Sequence, residues 1–465
     1  MKRTIKGLLT IACAALMLGG SAACSLSAYD IAVKNGYQGT ESEWLNTLHG
    51  EDGKDGKDFT AEDLYKKAQA EGFQGTFLEF CKDILSINVQ EENNVDVIAK
   101  NVTSVVRICC GFSKNTTGGG LGGLIGGGPQ TSYYSSAGAG VIIELDKEKG
   151  DALIVTNYHV ISDASSNAKD GISESIYLYT YGALYGFDPE HGDEVGDGMK
   201  ATFVGGAMYY DIALLRVTGS EFLKNSIATE ATFADSDDVT IGEKVFAIGN
   251  PDGAGIAVTE GIISVESEYI TMELSDGSTK MVDYRVMRTD AAINGGNSGG
   301  ALFNAEGNLI GITNAKNASS EVDNMGYALH GSQVKNLCEN ILRNEKLYGD
   351  GKIRVATLGV TVTVIDSEAY FDEDGNLKIR EQFQVYEVSP GSAAAAGNVK
   401  AMDTVQAVKI NGGEWMTFSR QYQLIDRLLT VTKGDTITIK VIDVEGREQI
   451  REICFDQDDY FMVRE

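Results

Sequence analysis

Ser298 lies in Asn294-Gly-Gly-Asn-Ser298-Gly-Gly300, a lone hydroxyl nucleophile with four glycines around it. A serine that attacks a carbonyl must be exposed on a tight turn, with backbone N–H groups aimed at the oxygen that becomes negative. Glycines on both sides permit that backbone. The hydroxyl also needs a base, and the chain has four histidines. His49 falls in a charged linker, His191 in an acidic glycine-rich loop and His330 after a strand. His159 closes the buried apolar run Leu153-Ile-Val-Thr-Asn-Tyr-His159. A base needs an orienting acceptor, and Asp211 opens the apolar run Asp211-Ile-Ala-Leu-Leu-Arg-Val217. A carboxylate there is costly to bury unless a donor such as an imidazole N–H meets it. Each residue has a plain structural reading as turn, core histidine or strand-end carboxylate; the three in order support one another.

These residues are set among short β-rich runs. Val102–Cys110, Ala137–Leu145 and Ala152–Val155 read as strands, and turn signals recur from about residue 93 to 335. The region reads as barrels or a sandwich, with a helix over Gly331–Lys346 closing it. The glycine-rich segment Thr116–Gly128 reads as a long loop; no Lys-Ser/Thr closes it, so it is no phosphate loop. A linker over Leu347–Lys352 leads to a second β-rich unit from Arg354 onward.

The whole chain sets the frame. Its 465 residues imply about two to four domains, and 43% apolar residues supply ordinary cores. A net charge of −28 with few basic clusters excludes nucleic acid as partner. Residues 1–24 read as an export signal. Lys2, Arg3 and Lys6 precede the apolar run Leu8–Leu18, and small residues lead to Cys24. That ending resembles a bacterial lipoprotein cleavage site with Cys24 lipidated, although Ser21 stands where the pattern usually has Leu; plain secretion is the alternative. No later run is long and apolar enough for a membrane span. The remaining cysteines lack CxxC spacing, and Cys109 and Cys110 read as buried free thiols. Neither a metal constellation nor a cofactor motif appears.

Residues 25–92 contain a repeat. Tyr29 to Leu45 recurs 36 residues on as Tyr65 to Cys81, each copy reading as two short helices about a glycine turn, with capping-box spacing at Thr40/Glu43 and Thr76/Glu79. The first copy is similar to a segment of surface proteins of low-GC Gram-positive bacteria. Gly50–Asp58 between the copies reads as a charged linker. This region is expected to be a spacer without chemistry.

The order His159, Asp211, Ser298 is that of chymotrypsin-like double barrels. The contexts Thr156-Asn-Tyr-His159-Val, Asp211-Ile-Ala-Leu-Leu-Arg-Val217 and Thr289-Asp-Ala-Ala-Ile-Asn-Gly-Gly-Asn-Ser298-Gly-Gly-Ala-Leu302 resemble HtrA-type serine proteases. Ala247-Ile-Gly-Asn-Pro251 and Gly311-Ile-Thr-Asn314 fit as well, and the resemblance covers about 93–346. It implies a mainly β fold, a double six-stranded barrel, and a serine endopeptidase with the catalytic set His159, Asp211 and Ser298. The Gly296 and Ser298 N–H groups would form its oxyanion hole, and Ala292 and Ile312 would lie at the P1 pocket, favouring small aliphatic P1 residues. Gly295 departs from the family's usual Pro, which would loosen this loop. Asn297, neutral where pancreatic-type enzymes have Asp, argues against activation by N-terminal clipping.

The last unit resembles a PDZ domain over 354–465. Thr357-Leu-Gly-Val360 matches the carboxylate-binding loop, so Leu358, Gly359 and Val360 would hold a peptide's C-terminus. Val385–Gly397, Asp403–Gly412 and Gly434–Val441 continue the match. Arg420–Leu429 would be the helix beside the groove, with a peptide adding along Val360–Val364. Met402 departs from the usual Gly, and Asp366–Asn376 reads as an acidic insert shielding the groove. The resemblance thus implies an extracytoplasmic protease of unfolded or exported proteins, anchored through Cys24 or secreted, with polypeptide substrates, a PDZ peptide ligand and a homotrimer among its partners. A non-catalytic peptide-binding or chaperone protein on the same fold is the competing expectation.

Overall fold

The structure is a computed structural model and describes residues 94–116, 130–193, 195–274, 278–314, 325–372 and 375–464, together with Tyr65, Lys66 and Gln69. The expected signal, Cys24, nearly all of the repeat and the glycine-rich loop lie outside these residues. Tyr65, Lys66 and Gln69 are helical, and Gln69 donates to the Tyr65 hydroxyl at 2.8 Å. Residues Met1–Glu91 and Glu92–Glu465 form separate compact units. Among the described residues no helix is long and apolar enough to cross a membrane.

The second unit opens with helix α1 (Asn94–Asn101), where the sequence reading expected only β structure. Six strands then close a barrel: β1 (Val105–Thr116), β2 (Gln130–Asp146), β3 (Asp151–Thr156), β4 (Ser175–Thr180), β5 (Met199–Ala207) and β6 (Ile212–Val217). Their order around the barrel is β1-β2-β3-β6-β5-β4. Val106, Ile108, Cys110, Ile142, Ile154, Leu178 and Leu215 fill it with side chains wholly or nearly wholly buried. Alternation along β1 sends the neighbouring Cys109 to another small cluster with Tyr179 and Phe187. Both thiols are free and buried, as expected of them.

A second closed barrel follows, from β7 (Lys244–Gly249), β8 (Ala257–Glu273), β9 (Met281–Thr289), β10 (Ala301–Asn304), β11 (Leu309–Asn314) and β12 (Gly326–His330), in the order β8-β9-β12-β11-β10-β7. Helix α3 (Gly331–Tyr348) packs Val334, Leu337, Cys338 and Ile341 inward and ends at Gly349, whose φ of +74° is a left-handed stop. Between the first barrel's β3 and β6 lies α2 (Tyr158–Ile161), a single turn.

The chain continues through β13 (Ile353–Ala356), β14 (Val360–Phe371), β15 (Leu377–Val388), β16 (Thr404–Ile410), helix α4 (Gln421–Leu428), β17 (Thr436–Ile442), β18 (Glu448–Cys454) and β19 (Phe461–Arg464). Strands β14 to β18 form one antiparallel sheet in sequence order, and β13 pairs with β19. The stretch read as an acidic insert extends the β14–β15 hairpin, with Asp366 opposite Gln382 and Phe371 opposite Leu377. This last β unit is seated on the second barrel. Arg285 of β9, buried, donates to Asp237 at 2.6 Å and to Asp426 of α4 at 2.5 Å. Gln333 of α3 donates to the same Asp426 at 2.9 Å, and Asn340 reaches the Leu429 carbonyl at 2.7 Å.

Candidate active site

Strand register brings the candidate residues together. Thr156 at the end of β3 lies opposite Ala213 at the start of β6. The chain leaving β3 therefore carries His159 alongside the chain entering β6, which carries Asp211. His159 sits on α2, just beyond the strand end where the sequence placed it. Asp211 occupies the turn before β6, and Ser298 precedes β10. Ala301 of β10 pairs with Ile312 of β11, so Ser298 lies beside Thr313 and Asn314.

Short contacts fix each piece. Asp211 is 1% exposed. Its Oδ2 meets His159 Nδ1 at 2.7 Å, and its Oδ1 accepts from the His159 N–H at 3.0 Å. Asn314 Nδ2 donates to Oδ2 at 3.0 Å. The Asp211 carbonyl accepts from Asn157 Nδ2 at 3.0 Å and from the Tyr158 N–H at 3.2 Å. The carboxylate is thus buried with donors on both oxygens, which offsets the cost of burying its charge. The His159 side chain is 20% exposed, partly open to solvent. Of the other described histidines, His191 is on the surface beside Asp188, 2.9 Å away. His330 is fully buried, and burial, followed by the Arg285 charge, holds its imidazole well below the ordinary histidine range, neutral.

The Ser298 turn is clamped between the barrels. The Ala139 N–H of β2 donates to the Ser298 carbonyl at 2.9 Å. Glycine eases that approach: a Cβ at Gly138 would come 3.1 Å from the Ser298 carbonyl oxygen, and 2.6 Å from Val160, the neighbour of His159. On the other side the Thr313 hydroxyl donates to the Asn297 carbonyl at 2.6 Å, and the Gly299 N–H to the Thr313 carbonyl at 2.9 Å. Gly296 has φ +90°, and its carbonyl accepts from the Asn250 N–H at 3.3 Å. The Asn297 N–H turns to the Asn294 carbonyl at 3.0 Å.

The remaining candidates are less alike. Ala292 is exposed, and its carbonyl accepts from Thr259 Oγ1 at 3.0 Å. Ile312 is wholly buried in the barrel core and supports the site from behind. Ile293, which the sequence reading passed over, abuts Gly326: a Cβ there would come 2.8 Å from Ile293 Cδ1. In the last unit Leu358 is buried and Gly359 has φ +70°. Their carbonyls accept from the Ala394 and Ser389 N–H groups at 2.9 and 2.8 Å. Val360 begins β14, the edge strand of its sheet. Asn314 is the neighbour of the site that the sequence does not single out; Gly311-Ile-Thr-Asn314 enters it only as part of a resemblance.

Residues 138–312 match a family model described as a trypsin-like peptidase domain. "Serine protease Do-like HtrA" of Lactococcus lactis subsp. cremoris (strain MG1363) is 34% identical over 340 residues, covering 69% of this chain and 74% of that protein. The like-named protein of Bacillus subtilis (strain 168) is 32% identical over 330 residues, covering 70% and 64%. "Periplasmic serine endoprotease DegP" of Escherichia coli (strain K12) is 32% identical over 328 residues, covering 70% and 57%. The peptidase match runs from the glycine that admits the Ser298 carbonyl to the strand that backs it, and the relatives align over about 70% of the chain: the chain belongs to the HtrA family of serine proteases and is a serine-type endopeptidase.

Proposed function

We propose that this protease cleaves polypeptides through an acyl-enzyme formed on Ser298. The observation that carries the reading is the buried Asp211 carboxylate held at 2.7 Å from His159 Nδ1, on the side of the ring away from Nε2. With Nδ1–H directed at Asp211, Nε2 is left to accept the Ser298 proton as Oγ attacks the scissile carbonyl. His159 then gives that proton to the leaving amine, and a water repeats the sequence in reverse to free the acid and restore Ser298. Asp211 stabilises the imidazolium formed between these steps. The Gly296 and Ser298 N–H groups would meet the oxyanion, a placement supported by the φ of +90° at Gly296 and by the outward turn of its carbonyl to Asn250. Ala292, small and uncharged, favours a small aliphatic P1 residue.

The chain acts outside the cytoplasm in this reading. Its basic and apolar start and the periplasmic assignment in the name of the Escherichia coli relative support that, with Cys24 as the lipid-anchored residue. The unit from 354 to 465 is read as a PDZ domain that takes a peptide C-terminus at Leu358–Val360. Incubation with unfolded casein, wild type beside Ser298→Ala, tests the chemistry. Cleavage by the wild type alone is expected; equal cleavage by both would overturn the assignment of Ser298.

A further inference from the structure

The turn that presents Asp211 is held from outside its own barrel. Asp211 has φ +52°, a left-handed conformation that a residue with a Cβ adopts reluctantly. Its N–H donates back to the Met208 carbonyl at 3.1 Å, closing the single turn Met208–Tyr210. A strained turn persists where its surroundings over-determine it. Two side chains from elsewhere do so. Tyr284 of β9, in the second barrel, donates its hydroxyl to the Met208 carbonyl at 3.1 Å. Arg464 of β19, in the last β unit, stacks its guanidinium over the Tyr209 ring, 3.8 Å from the centroid. Tyr209 in turn packs edge-on against Tyr210 at 5.1 Å between centroids. Burial pushes the Tyr210 phenol well up, and the Arg464 charge is the largest influence opposing it.

The strand bearing Arg464 is itself tied to the strand that enters this turn. β19 pairs with β13, Ile353 lying opposite Arg464. One residue earlier, Lys352 bridges in parallel to Gly206 of β5. The approach is close, since a Cβ at Gly205 would come within 2.2 Å of the Gly351 carbonyl oxygen. First barrel, second barrel and last β unit therefore meet at the three residues before Asp211.

We propose that Arg464 is a positioning residue for catalysis: by clamping Tyr209 it holds the Met208–Tyr210 turn, and so Asp211, in register with His159. The proposal rests on the reading of Asp211 as the orienting carboxylate. Arg464 touches neither substrate nor the reacting atoms. Its loss would leave Asp211 in place on average but less well aimed at Nδ1. Substrate binding would change little, whereas stabilisation of the imidazolium would weaken.

The test uses the full-length enzyme and a chromogenic peptide, comparing wild type, Arg464→Ala, Arg464→Lys, Tyr209→Leu and Asp211→Asn. Arg464→Ala is expected to lower kcat about 10- to 100-fold with KM within about 2-fold. The acid limb of its kcat/KM profile should move to lower pH, because a less supported imidazolium gives up its proton more readily. Arg464→Lys keeps a cation over the ring and recovers most of the loss. Tyr209→Leu reproduces the Arg464→Ala pattern, and carries the test alone if Arg464→Ala does not fold. Wild-type kcat and pH profile in both variants, beside an Asp211→Asn enzyme about 10⁴-fold slower, would overturn the role of Arg464. A loss that only tracks the unfolded fraction, with an unshifted profile, would do the same. Wild-type activity in Asp211→Asn would instead overturn the triad reading itself.

Discussion

Gly295 and Gly299 stand on either side of Ser298 and do opposite things. Gly299 has φ +81°, and a Cβ on it would come within 2.2 Å of both the Ala139 carbonyl oxygen and Thr156 Oγ1. Gly299→Ala is expected to cost at least about 2–4 kcal/mol and to abolish cleavage, read by thermal unfolding and casein assay. A Cβ at Gly295 meets nothing within 4 Å, and its φ lies outside the left-handed range. Gly295→Ala therefore narrows only the unfolded chain and should raise stability by about 0.4–1 kcal/mol with activity retained. A loss of activity there would show that this loop must stay loose. Asn314→Leu removes a donor from a buried carboxylate oxygen, and should cost about 1–3 kcal/mol and lower kcat. Ser298, His159 and Asp211 are legible as candidates because few residue types do such chemistry and their order is informative. Asn314 was not, because an amide has many ordinary uses and its partner lies 103 residues away. Ile312 was legible as a neighbour of the site but not as core, since strand pairing decides which way it points.

At the scale of elements, α4 is fastened to β9 by a buried cluster of two carboxylates on one guanidinium, with Arg285 also 3.9 Å from the centroid of the Tyr422 ring. Arg285→Met takes the cation from both Asp237 and Asp426, leaving Asp426 only the Gln333 amide, and should destabilise the protein by about 3 kcal/mol. Burial, opposed by Arg285 and reinforced by Asp237, pushes the Asp426 carboxyl up to about 6. A folded-state value above the unfolded one means the folded chain binds the extra proton. This contribution is fully present below about pH 4 and is lost as pH rises through 6. Thermal midpoints of the Ser298→Ala protein should therefore gain from this site between pH 7 and 5, a gain that Asp426→Asn flattens. An unchanged pH slope in Asp426→Asn would contradict the upward shift at Asp426. Helix α3 and the strand texture of both barrels were legible from periodicity. The extended β14–β15 hairpin was not, because its outer half is exposed and acidic and lacks the apolar alternation that marks a half-buried strand.

Across the described residues, two barrels and a third β unit converge on the turn that presents Asp211. Their sequences announced the units but not the convergence, which rests on side-chain contacts such as Arg464 on Tyr209. The third unit, read as a PDZ domain, should bind peptides with a free apolar C-terminus and lose them when the carboxylate is amidated, measured by calorimetry. The central claim is that Ser298 is a nucleophile activated by His159, and covalent labelling tests it most directly. Intact-mass and peptide-map analysis after treatment with a fluorophosphonate should find one adduct, on Ser298, forming roughly 10³-fold more slowly or worse in His159→Ala. An adduct elsewhere, none at all in the wild type, or equal labelling of both proteins would contradict the account.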